Sequence, residues 1–155
     1  MIQRVQTLFL IANVILLALL AFLPLASFTT SETVYMLRAD SLINIADLEN
    51  PQLVVWPIFI LIMCMIFIPF IAIFLFKKRL LQIRFCIFSS VLNILYYALF
   101  FYETNLIGKE ISGDLSVKYF MLLIPALTIV LNILAIKRIG QDEMLIKSLN
   151  SRSIR

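Results

Sequence analysis

Three asparagines fall inside apolar runs of this sequence, Asn13, Asn93 and Asn132, and Ser89 and Ser90 stand just before the second of them. Amides and hydroxyls donate and accept hydrogen bonds but do not act as strong bases. The runs that hold them contain no Asp, Glu, Lys, Arg or His, and histidine is absent from the chain. Proton relays, ion-coupled transporters and voltage sensors place ionisable groups at membrane depth. Intramembrane hydrolysis needs a nucleophile with an adjacent base. Neither inventory is met, and there is no Gly-rich phosphate loop or metal-ligand cluster. No catalytic residue, cofactor site or metal site is expected. An enzyme acting on lipid at the surface would have to draw its acid or base from Glu103, Asp114 or Asp142.

The chemistry left to the asparagines is mutual. An amide buried in hydrocarbon without a partner costs a few kcal/mol. Asn13, Asn93 and Asn132 each fall about one or two turns from the same end of their helices, so they share a depth. The expectation is an interhelical polar cluster of Asn13, Asn93, Asn132, Ser89 and Ser90 that sets helix register. The alternative is a polar pocket open to the cytoplasm.

The elements that position these residues follow from composition. The 155 residues are 63% hydrophobic and 14% charged, against about a quarter charged for soluble domains. Mean hydropathy is +1.04. That leaves too little polar surface to coat a globule, so lipid is the expected solvent. Four spans are expected, at about 6–26, 53–76, 85–102 and 119–136, in one membrane domain covering 1–155. An apolar run of this length and the lack of a small-residue cleavage box argue for an uncleaved first span. Pro57 suits a first helical turn, and Pro69 is expected to kink the second span. Two outer loops, 27–52 and 103–118, are expected. In the first, 33–37 reads as a short strand or hairpin and 42–48 as a helical turn on the membrane surface. The sequence suggests an all-α membrane protein, a four-transmembrane-helix bundle with cytoplasmic N and C termini.

Orientation rests on the stretch 74–85, FLFKKRLLQIRF, a cytoplasmic turn (77–84) between two spans. One side of the membrane collects Arg4, Lys77, Lys78, Arg79, Arg84, Lys137, Arg138, Lys147, Arg152 and Arg155. The other has three basic residues, Arg38, Lys109 and Lys118, among seven acids. Cytoplasmic loops gather Lys and Arg, so the first side is cytoplasmic. Lys77, Lys78, Arg79, Arg84, Lys137 and Arg138 are expected at that membrane surface. Trp56, Tyr102 and Tyr119 fall at the opposite interface, where amphipathic rings sit. The net charge of +4 is a topology signal, and no nucleic-acid partner is expected. Cys64 and Cys86 are read as reduced, buried small hydrophobes. Twelve residues separate Cys64 from Phe76, about 18 Å of helix, and a disulfide needs Cα atoms within about 7 Å.

The tail 137–155 is polar and basic. Gly140 can end the fourth helix. Asp142 and Glu143 then suit the first turn of a short amphipathic helix on the membrane surface, or else pair with Lys77 to Arg79. A disordered tail is the alternative.

The two ends carry a resemblance. Met1-Ile2-Gln3-Arg4-Val5-Gln6-Thr7 runs straight into a span. The fourth span leaves through Asn132 to Ile139 and continues Asp142-Glu143, Lys147-Ser148, Arg152-Ser153-Ile154-Arg155. This resembles an uncharacterised Bacteroidota family of small four-span membrane proteins, domain of unknown function 4293. The resemblance implies a multi-pass protein of a bacterial cytoplasmic (inner) membrane and brings no catalytic residues with it. The chain departs from the family pattern at Gly140 and Gln141. The expected function is a non-enzymatic accessory or scaffold subunit of a membrane assembly. Its partners would be membrane lipids and a membrane protein or further copies of itself. The alternative is a small oligomeric transporter or channel for a neutral solute.

Overall fold

The computed structural model describes residues 3–30, 33–45, 53–76, 78–111 and 114–152. The elements in chain order are α1 (Gln3–Phe22), β1 (Ala26–Thr29), β2 (Val34–Leu37), β3 (Ser41–Asn44), β4 (Leu53–Val54), α2 (Trp56–Phe74), α3 (Arg79–Ile111), β5 (Asp114–Val117) and α4 (Tyr119–Arg152). The helices form a ring in which α1 packs on α2 and α4, and α3 packs on the same two.

Each helix buries one stripe whose residues alternate in steps of four and three. On α2 the stripe is Ile58, Ile62, Met65, Pro69 and Ala72. On α1 it is Gln6, Leu10, Asn13, Leu17 and Leu20, and on α3 it runs Gln82, Cys86, Ser89, Asn93, Tyr96, Phe100. This spacing is the 3.5-residue repeat of coiled-coil-like packing. The opposite faces are apolar and exposed: Leu8, Ile15, Ile60, Phe67, Ile94, Leu123 and Val130 among many. A soluble protein does not leave so much apolar surface open. Three helices are long and apolar enough to cross a membrane, and Gln6–Phe22 is a shorter apolar helix.

The expectation of an all-α bundle needs correction. A five-stranded antiparallel sheet of order β4-β3-β2-β1-β5 is formed from the two expected loops and the neighbouring span ends. Ala26, expected in the first span, belongs to β1, and Leu53–Val54, expected to open the second span, form β4, so α1 ends at Phe22 and α2 starts at Trp56. β1 to β4 make a meander, and β5, from between α3 and α4, pairs along the free side of β1. One face of this sheet packs on the helices. Phe28, Ala26, Leu37 and Leu42 are buried there in one core with Leu20, Ile58, Phe100, Ile107 and Met121. The strand at 34–37 agrees with the β-prone reading, but residues 42–44 belong to β3 and not to a surface helical turn. Ile45 follows β3 and donates its N–H to the Val34 carbonyl oxygen at 3.0 Å, and the rest of that expected turn, 46–48, lies outside the described residues. The pattern was weak because strands of four residues offer only two inward positions each.

Helix ends also differ from the expected span ends. α3 continues nine residues past Tyr102, and α4 runs through Gly140 without a break. The tail up to Arg152 is therefore a continuation of the fourth helix and not a separate one. A Cβ at Gly140 would meet nothing within 4 Å, so the glycine marks neither a turn nor a close contact. The link between α2 and α3 is shorter than the expected 77–84, because α3 already starts at Arg79. Lys77 lies outside the described residues.

Candidate functional site

The interior of the helix ring is polar in two layers, separated by an apolar one. The deeper layer holds the expected asparagines. Asn13 Nδ2 donates to Asn132 Oδ1 at 2.7 Å and lies 3.5 Å from the Thr128 carbonyl oxygen. Asn132 Nδ2 donates to Ser89 Oγ at 3.1 Å. Thr128 Oγ1 lies 2.6 Å from Asn93 Oδ1 and 2.8 Å from the Pro125 carbonyl oxygen. Asn93 Nδ2 donates to the Ser89 carbonyl oxygen at 2.8 Å. Asn13, Ser89, Asn93, Thr128 and Asn132 are all 0% exposed. Three helices are thus tied in one network, and α2 contributes only apolar residues to its inner face.

Ser90 is not part of this network. It is half-buried and donates to the Cys86 carbonyl oxygen of its own helix at 3.0 Å. One residue off the buried stripe is enough to turn it away. Thr128 was missed, although it stands four residues before Asn132 and so on the same helix face. Its small apolar-looking context hid it.

The second layer lies toward the basic end. Gln6, Gln82 and Asp142 are all buried there, and Gln6 Nε2 donates to Asp142 Oδ2. Leu10, Ala72, Cys86, Ala135 and Ile139 form the apolar layer between the two. Asp142, expected in the first turn of a surface helix or paired with Lys77 to Arg79, is a buried acceptor that joins α4 to α1. The tail reading hid this, because it placed Asp142 beyond the end of the bundle.

The expected basic surface residues Lys78, Arg84, Lys137 and Arg138 are exposed at this same end, with Arg79 half-buried. Cys64 and Cys86 are both free thiols, and Cys86 is buried as expected. Cys64 is exposed on the outward face of α2, a correction to its expected burial. Trp56, Tyr102 and Tyr119 are exposed toward the sheet end, at 62%, 61% and 80%. The bonded pairs Asn132–Ser89 and Thr128–Asn93 fix the antiparallel register of α3 and α4. The same register sets Tyr102 opposite Tyr119 and Arg84 opposite Lys137. Arg84 to Tyr102 and Tyr119 to Lys137 are each 18 residue steps, about 27 Å at 1.5 Å per residue, close to the roughly 30 Å of bilayer hydrocarbon.

A cleft of about 400 Å³ lies at the sheet end, outside the ring. Residues of α1 and α2 line it, and the turn between β2 and β3 stands over it. That turn is tight: Arg38 N–H donates to the Ser41 carbonyl oxygen at 2.9 Å. Val55 N–H, just ahead of α2, donates to the Asp40 carbonyl oxygen at 3.0 Å. The turn is thereby fixed at the level of Trp56.

Among the described residues there is no group of three or more His, Cys, Asp or Glu that could hold a metal ion. Residues 2–151 match the family described as Domain of unknown function (DUF4293), and the chain belongs to that family. No curated protein matches the chain.

Proposed function

Proceeding from that family membership, we propose that this chain is a non-enzymatic integral membrane protein that serves as an accessory or scaffold subunit of a larger membrane assembly. It crosses a bacterial inner membrane four times, with the sheet outside and both termini in the cytoplasm. The observation behind the scaffold reading is the closed polar layer. Its amides and hydroxyls are spent on one another across α1, α3 and α4, so they serve register and leave little to bind a solute. Such bonds contribute roughly 0.5–2 kcal/mol each in membranes.

The crossing of α1 is argued from length and place. Its 20 residues span about 30 Å, matching the hydrocarbon thickness, and it packs between two of the long helices. Orientation follows the excess of Lys and Arg at the end away from the sheet.

One atom favours the rival reading of a path for a neutral solute. Asn13 Oδ1 is buried without a partner, and a polar solute or water could use it. Extraction in mild detergent followed by native mass measurement separates the two. The scaffold reading expects a stoichiometric membrane-protein partner. A lone monomer or homo-oligomer that passes a neutral solute across proteoliposomes would contradict it.

A further inference from the structure

We propose that the cleft between α1 and α2 at the sheet end is a binding site for a zwitterionic membrane phospholipid bearing a primary amine, phosphatidylethanolamine in chemical class. Its walls are Ala18 and Ala21 of α1 and Phe59 and Met63 of α2, and Arg38 and Asp40 stand over its end. Three observations converge on a lipid.

The first is position. The wall residues are half-buried and sit beside the buried stripe residues Leu17, Leu20, Ile58 and Ile62, which fill the inner side. The cleft therefore opens away from the ring, toward the surface that carries Ile60, Phe67 and the other exposed apolar residues. Its wall on α2 runs from Phe59 to Ile66, about 10 Å of helix, long enough for the upper part of an acyl chain. The two alanines make the room: a longer side chain at either would fill it.

The second is depth. The mouth is tied to the start of α2 by the Val55–Asp40 bond, next to the exposed Trp56. Indole rings settle at the headgroup level. A lipid whose chain enters the cleft would bring its headgroup to Arg38 and Asp40.

The third is charge. Arg38 and Asp40 are both exposed. Of the five N–H donors of an arginine, Arg38 uses one among the described residues, from Nη2 to the Phe22 carbonyl oxygen, at the long distance of 3.5 Å. Among the described residues the Asp40 carboxylate has no side-chain bond. A guanidinium matches a phosphate, and a carboxylate beside it matches an ammonium group. Phosphatidylglycerol offers Asp40 hydroxyl donors but no positive charge, and a choline headgroup has a positive charge but no N–H to donate.

The test uses the full chain in phosphatidylcholine vesicles with trace photoactivatable lipid, either phosphatidylethanolamine or phosphatidylglycerol, with adducts mapped by mass spectrometry. Adducts of the ethanolamine lipid should concentrate on Phe59 and Met63 over the exposed reference residues Ile94 and Leu123. Arg38→Gln should lower cleft labelling by either lipid about threefold, as for a partly exposed ion pair. Asp40→Asn should lower labelling by the ethanolamine lipid alone. Ala21→Leu should abolish cleft labelling while labelling at Ile94 and Leu123 stays, with a thermal unfolding midpoint in detergent close to the parent's showing that the variant is folded. Equal labelling of cleft and reference residues, equal preference for the two lipids, or indifference to both charge changes would each overturn the proposal.

Discussion

Asn132 is the residue on which the interior depends most. It accepts from Asn13 and donates to Ser89, so replacing it leaves polar groups unpaired on both α1 and α3. Asn132→Leu should lower unfolding stability in detergent by about 1–3 kcal/mol, the usual cost of stranding buried polar groups. Asn13→Leu and Asn93→Leu should cost less, since each leaves part of the network standing. Ser90→Ala should stay within about 0.5 kcal/mol of the parent, because its only partner among the described residues is a carbonyl of its own helix. If Asn132→Leu were as stable as the parent, the network would not hold the helices. Phe28 makes a different kind of contribution. It is fully buried under the sheet, and a Cβ at Gly108 of α3 would lie 3.7 Å from its ring. Phe28→Ala should cost about 3–5 kcal/mol through the cavity it opens, read as a lowered midpoint of thermal unfolding. A midpoint unchanged by that substitution would mean that the sheet does not rest on the helices.

The helices repay the hydrophobic pattern more fully than the strands do. Apolar runs of 18 residues or more can only be helices in lipid, where each backbone group must be satisfied within its own segment. The three asparagines were legible for a related reason: an amide inside such a run needs a partner, and helices of shared depth supply one. Thr128 and the Gln6–Asp142 pair were not legible, since threonine is common on helices and Asp142 stood beyond the expected end of α4. Of the sheet, only the strand at 34–37 was legible. β5 is four residues long, and its partner β1 lies far away in sequence, so local alternation had nothing to show. Gly140 misled because glycine is the usual helix terminator. With α4 continuous through it and open space around it, Gly140→Ala should stabilise by about 0.5–1 kcal/mol through reduced unfolded-chain entropy. A loss of stability instead would place a left-handed residue there and end the helix where the sequence first suggested.

At the scale of the whole molecule, two features divide the ends. The basic residues Lys78, Arg84, Lys137 and Arg138 mark one end, and the sheet with Trp56, Tyr102 and Tyr119 marks the other. Between them lies a ring of helices, apolar on the outside and tied within by hydrogen bonds. Such a body has the dimensions of a membrane unit, and its exposed surface is suited to lipid and to neighbouring subunits. In the proposed topology all four helices cross, α1 included, with the sheet outside. Single cysteines at Gln3, Lys109 and Lys137, in a Cys64→Ala/Cys86→Ala background, test it with a membrane-impermeant thiol reagent on intact cells. Lys109→Cys should be labelled at once, and Gln3→Cys and Lys137→Cys only after the membrane is opened. Labelling of Gln3→Cys from outside would show that α1 does not cross, and labelling of Lys137→Cys from outside would invert the topology.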